Sequence, residues 1–215
     1  MNESTINNIR NNLTRLPKLW DGKNAIQEMK NDSYSQWRQM EWIGFYFQFL
    51  CGKNLADIMQ MPGKKYGNVA FDGFLEVPWD FKAHAMNTSN HRIIVNDKRA
   101  IENAIKQYNE IGLILALGGV VYNDRDRTFQ KWHEVLKGGK SQYEFEREQR
   151  GAWSRLRKVE FNLEQIIILS ITTDTLQKSG SFQDNFRNAD GSPRKSKILL
   201  DLEKIENEIV QTIEF

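Results

Sequence analysis

Eleven consecutive residues at 112–122, GLILALGGVVY, carry no charge. A strand with one wet face alternates apolar and polar side chains, so an unbroken apolar run of this kind suits a strand buried on both faces. The segment before it, NDKRAIENAIKQYNEIG, sets Ala100, Ile101, Ala104, Ile105 and Tyr108 at helical spacing behind a capping residue, with Gly112 as its expected stop. Further upstream, Val69 to Asp72 and Val77 to His84 alternate with a period of two, the pattern of half-buried strands. Helix, strand, strand, helix, strand in that order predicts an α/β fold, a mixed β-sheet flanked by helices with one helical crossover.

The length of 215 residues fits one domain, and 40% hydrophobic with 11% aromatic residues suffices for a core. A single domain over 1–215 is expected, with a core at about 33–122 and further elements at about 123–200. The formal charge of +2 is too small to identify a partner by itself, so any basic surface has to be local. Cys51 is the one cysteine, which leaves no intramolecular disulfide and no zinc-ligand spacing, His91 and His133 being isolated. With no secretory pattern at the amino terminus, a reducing cytoplasm is the expected compartment. The longest apolar run, Ile111 to Tyr122, falls short of the roughly 20 residues that cross a bilayer. Neither glycine pair, Gly118-Gly119 or Gly138-Gly139, is followed by Lys and Ser or Thr, so a nucleotide-binding loop is unsupported.

Residues 1–30 read as two short helices broken near Pro17. SYSQWRQMEWIGFYFQFL, from Ser33, puts Trp37, Met40, Ile43, Phe47 and Leu50 on one face of a buried helix. Cys51 to Lys65 reads as a helical turn and a loop, and Met86 to Asn96 as a polar loop. After Asn123 two helices are expected, split at Gly138-Gly139, with Ser141 and Glu144 forming a capping box on the second. KVEFNLEQIIILSI is a strand or strand pair, 177–197 a long loop, and 196–214 a terminal helix or strand.

Chemistry concentrates in GNVAFDGFLEVPWDFKAHA, residues 67–85. The period of two puts Asp80, Lys82 and His84 on one strand face, and Asp72 comes from the preceding strand, with Gly73 allowing a turn. Adjacent strands lie about 4.8 Å apart, so both acids can reach one cation. Clustered carboxylates gather a hard divalent ion, and an ammonium orients or activates an attacking water. A charged pair inside a run of Val, Trp and Phe is expensive unless paired or metal-bound. A structural Asp80 to Lys82 interaction explains that pair alone but leaves Asp72 unexplained. Pro78 cannot donate to a ladder, so its position must be an edge, a bulge or a strand start. Glu41 is either a solvent-facing residue of its helix or a further acid of the site. Glu76 is an alternative second acid, and His84 is expected at the site's border, within reach of a phosphate.

Asp72 with the Asp80-Phe81-Lys82 triplet resembles the PD-(D/E)XK nuclease superfamily, the fold of most type II restriction endonucleases and of several repair and resolvase nucleases. The resemblance covers about the first 120 residues, with Phe71 where the family has Pro and a short gap from Asp72 to Asp80. It implies a restriction-endonuclease-like core with added helices and a long loop. It further implies Mg²⁺ bound by Asp72 and Asp80, Lys82 positioning a water, and Glu41 completing the metal sphere directly or through water.

A sequence-specific cutter also needs base readers, and Arg, Lys, Asn and Gln make bidentate contacts to base edges. Arg187, Asn188, Arg194 and Lys195 in the long loop, Lys131, His133 and Lys137 after the apolar run, and Arg155 and Arg157 beside Trp153 are the expected DNA contacts. The expected substrate is double-stranded DNA, cut at a short specific sequence by a homodimer that matches a palindrome's twofold symmetry. The other readings are a structure-specific repair or junction-resolving nuclease and a non-catalytic DNA-binding protein.

Overall fold

The computed structural model describes residues 1–62, 70–152, 156–184, 187 and 192–215. Helices α1 (Glu3–Leu13) and α2 (Gly22–Asn31) flank a short strand, β1 (Leu19–Asp21). Both helices start on a side-chain cap, Asn2 taking the amide of Thr5 and Asp21 that of Asn24.

The helix expected from Ser33 is interrupted. A 3₁₀ turn at Ser35–Arg38 comes first, and α3 (Trp42–Leu55) begins after a break at 39–41. The cause is tertiary. His133 Nε2 takes the Trp37 carbonyl at 3.0 Å, and Arg38 Nη2 donates to the carbonyl of Lys137 at 2.8 Å. The first bond occupies a carbonyl that helical continuation would use, and the second ties the segment to the end of α5. Once started, α3 is apolar nearly all round and buries Trp42, Ile43, Tyr46, Phe47, Phe49, Leu50, Cys51 and Leu55.

Strands β2 (Gly73–Leu75) and β3 (Val77–Ala85) form a tight antiparallel hairpin, Gly73 opposite Trp79 and Leu75 opposite Val77. The expected earlier strand is thus displaced: Val69 lies outside the described residues, and β2 begins just after Asp72. The turn sits on Glu76, with φ of 61°, not on Gly73. Gly73 serves a close approach instead, since a Cβ there would lie 2.4 Å from Met59 Sδ. Pro78 faces Phe74, whose own amide and carbonyl bond Gln60 at 2.9 and 3.0 Å, so β2 asks no donor of Pro78. The pairing of β3 with its other neighbour starts only at Trp79.

The supposed loop after β3 contains a strand, β4 (Arg92–Asp97), leading into α4 (Lys98–Tyr108). Asn109, left-handed at φ 69°, ends α4. Gly112 therefore does not stop the helix. It lies in β5 (Ile111–Val121), where a Cβ would come within 2.2 Å of the Trp79 ring. β3 and β5 run parallel, from Trp79 beside Gly112 to Ala85 beside Gly118, and α4 lies in the crossover between them. Helices α5 (Thr128–Lys137) and α6 (Gln142–Gln149) part at Gly138, and the Ser141 to Glu144 capping box is present. One long strand, β6 (Glu160–Ile171), follows, then α7 (Thr173–Ser179), β7 (Gly180–Gln183), β8 (Lys197–Asp201) and β9 (Ile209–Glu214).

The fold is α/β, a mixed sheet flanked by helices. The main sheet has the order β1-β6-β5-β3-β2, with β9 also pairing β6, and is antiparallel except between β3 and β5. One face packs Trp79, Phe81, Ile114 and Ile168 against Leu13, Ile26 and Phe47 of α1 to α3. The other packs Leu113, Leu115, Ile167 and Leu169 against Ile101 and Ile105 of α4 and a small antiparallel sheet, β4-β8-β7. No described helix is long and apolar enough to cross a membrane. Since β2 covers β3 only as far as Trp79, residues 80–85 of β3 lie on an uncovered sheet edge among the described residues.

Candidate active site

Where β2 stops, a side chain continues the ladder. Asp72 donates its amide to the Trp79 carbonyl at 2.9 Å, and its Oδ2 accepts the amide of Phe81 at 2.8 Å. Gln48, from α3, donates Nε2 to the same Oδ2 at 3.1 Å and to the Phe81 carbonyl at 3.5 Å. Two side chains thus satisfy the Phe81 peptide on the edge of β3, and Asp72 is fixed from two sides.

Asp80 is the next residue along, on the face opposite Phe81, and is 1% exposed. The Lys82 ammonium lies 3.6 Å from Asp80 Oδ1 and 3.8 Å from Asp72 Oδ2, so the structure brings Asp72, Asp80 and Lys82 together. Asn96, at the end of β4, donates Nδ2 to Asp80 Oδ1 at 3.2 Å and also to the Ala70 carbonyl. The second oxygen, Asp80 Oδ2, is buried without a hydrogen-bond partner among the described residues. Burial pushes the Asp80 carboxyl up to about 7. Lys82 pulls it down, Asp72 pushes it up, and Asn96 favours the ionised form.

A buried carboxylate oxygen with no donor is an unusual liability, and a hard cation relieves it. Asp72 and Asp80 are the residues fit to hold one. Among the described residues no group of three or more His, Cys, Asp and Glu converges. A donor set of two carboxylates suits Mg²⁺, which keeps several waters and binds through one or two carboxylates plus substrate phosphate.

The other expected members are engaged with other partners. Glu41 precedes the first residue of α3 without a side-chain capping bond, is largely exposed, and pairs with Lys158 Nζ at 3.1 Å. It stands seven residues, about 10 Å of helix, from Gln48, so the position on α3 that touches Asp72 holds an amide and not this acid. Glu76 is at the hairpin tip and accepts from Asn2, away from Lys82. His84 is engaged at Nε2 with the Asn90 carbonyl at 2.7 Å, and burial together with the charges of Lys158 and His91 holds it below the usual histidine range. Gln48 and Asn96 were not anticipated. Gln48 did carry a signal, as the single polar residue inside IGFYFQFL.

No family model matches the chain, and no curated protein matches it. Among solved structures it is similar to the restriction endonuclease BglI bound to its DNA recognition sequence, with 10% identity over 97% of this chain and 92% of that one and a TM-score of 0.32. A superposition that loose carries no functional inference.

The expected DNA contacts divide. His133 is buried, its Nε2 on the Trp37 carbonyl, and burial lowers it to about 4. Arg157 is also buried and reaches Glu144 Oε1 at 2.9 Å, while Lys137 Nζ lies 3.7 Å from Glu144 Oε2. Burial would raise Glu144, but Lys137, the Ser141 hydrogen bonds and Arg157 hold it below the usual range. In the structure these three bases brace this region from within, bonded to Trp37 and Glu144. Lys131 is exposed in a charged hollow of about 240 Å³ that also holds Arg127 and Arg147. Arg187, bridged to Pro193, is exposed, as are Arg194 and Lys195, the last 3.6 Å from Asp97. Arg155 and Asn188 lie outside the described residues.

Proposed function

We propose that the protein is a metal-dependent endodeoxyribonuclease of the PD-(D/E)XK type, and specifically a type II restriction endonuclease that hydrolyses double-stranded DNA at a short sequence. The observation that supports this reading is the meeting of Asp72, Asp80 and Lys82 at the edge of β3, with a buried carboxylate oxygen of Asp80 that has no donor among the described residues. Asp72 and Asp80 would hold Mg²⁺, which would polarise the scissile phosphate and acidify a water. Lys82, held between both carboxylates, orients the attacking water and meets the developing negative charge. Gln48 and the Phe81 amide fix the Asp72 carboxylate, and Asn96 fixes that of Asp80. Glu41 takes no part in the metal sphere.

The exposed bases Lys131, Arg187, Arg194 and Lys195 contact DNA in this reading, and Arg155 and Asn188 belong to it by sequence alone. Arg and Lys suit it because they contact guanine edges and phosphates. A palindromic target is matched by a homodimer. Incubating plasmid DNA with the protein in Mg²⁺ and in EDTA tests the proposal: discrete bands in Mg²⁺ alone are expected. A smear or structure-dependent nicking favours a repair or junction-resolving enzyme instead, and intact DNA in both favours a non-catalytic binder.

A further inference from the structure

A cleft of about 420 Å³ opens along the edge of β3, which no described strand covers past Trp79, and both Lys82 and Lys158 line it. Its walls include Ile43 and Phe45 of α3 and Ile94 of β4, which is 46% exposed. Lys158 stands on a rigid base: its carbonyl takes the Trp42 indole N–H at 2.8 Å, and the next residue, Val159, bonds Val121 at 2.9 Å and Gly22 at 2.8 Å. Among the described residues the ammonium pairs with Glu41 alone, at 3.1 Å, and that carboxylate is 73% exposed, so the pair is solvated and easily exchanged. Val121, to which Val159 bonds, lies three residues past the Gly118 that pairs with Ala85, which puts this second cation farther along the strand from the acids.

We propose that this cleft seats the sugar-phosphate backbone of the cleaved DNA strand next to the scissile phosphate, with Lys158 contacting a neighbouring phosphate and Glu41 as the counter-ion that phosphate displaces. The inference rests on the nuclease reading and deepens it. A cation beyond the acid pair suits a second phosphate, and the apolar wall suits deoxyribose. The volume fits a nucleotide of one strand rather than a duplex. On this view Glu41 opposes DNA binding where a metal ligand would promote cleavage.

The test is equilibrium binding in EDTA of two short duplexes of unrelated sequence, followed by fluorescence anisotropy across a salt series, for the wild type, Lys158→Ala, Lys158→Arg and Glu41→Gln. Lys158→Ala is expected to weaken both duplexes alike by about five- to tenfold near 0.1 M salt and to reduce the salt slope by about 0.9. Lys158→Arg retains binding. Glu41→Gln is expected to tighten binding by roughly two- to fivefold, the strength of a solvated pair. Wild-type affinity and slope in Lys158→Ala, or weaker binding in Glu41→Gln, overturns the inference. If the wild type still cuts plasmid in Mg²⁺, the nuclease reading survives that result. A wild type that neither binds nor cuts overturns both.

Discussion

The Oδ2 atom of Asp72 accepts the backbone amide of Phe81 at 2.8 Å. One carboxylate thus completes a sheet edge and also faces Lys82, so its structural and chemical roles are separable by substitution. Asp72→Ala leaves the Phe81 amide and Gln48 without their acceptor and should cost about 1–3 kcal/mol, whereas Asp72→Asn keeps an acceptor oxygen and should cost less than about 1 kcal/mol. Both should lose cleavage. Urea unfolding beside a plasmid digest checks this, and equal stability losses in the two variants would contradict it.

Asp80 predicts a pH dependence. Its folded pKa of about 7 lies above the roughly 3.9 of an unfolded aspartate, so between those values the folded chain holds a proton that the unfolded chain has lost. The Asp80 contribution to metal-free stability therefore falls as pH rises from about 4 to about 7 and is level above. Asp80→Asn should remove that slope and stabilise the metal-free protein at about pH 8. The comparison is urea midpoints of wild type and variant at about pH 5 and pH 8, and parallel shifts in the two proteins would count against it. Mg²⁺ titrated below pH 7 should also release a proton, visible as a buffer-dependent binding heat.

Gln48 donates where an acid would repel. Gln48→Glu sets a carboxylate against Asp72 in place of a 3.1 Å hydrogen bond, and should destabilise the metal-free protein by about 1–3 kcal/mol. Mg²⁺ should restore much of that loss, giving a larger metal-induced rise in melting temperature than in the wild type. A rise no larger than the wild type's would place Gln48 too far from the ion to matter.

How much of this was legible in the sequence follows the range of the interactions. Asp80 and Lys82 share a face because strand alternation is local, and the short gap to Asp72 required a hairpin, although its turn fell on Glu76 and not on Gly73. Glu41 stays open between solvent and site in the sequence because its surroundings are set far along the chain, by Lys158, with which it pairs. β4 read as a loop because its pairing partner is β8, about a hundred residues on. His133, Lys137 and Arg157 looked like DNA contacts because a sequence shows the cation and hides the counter-ion. Here Glu144 is that counter-ion for the lysine and the arginine.

Lys82 is where the nuclease reading is most exposed to refutation, because its ammonium lies within 3.6 and 3.8 Å of the two carboxylates. Single-turnover cleavage by Lys82→Ala in Mg²⁺, with duplex binding measured on the same preparation, decides the matter. The predicted result is a loss of cleavage rate of at least about a hundredfold with duplex binding retained. Cleavage at the wild-type rate would contradict it.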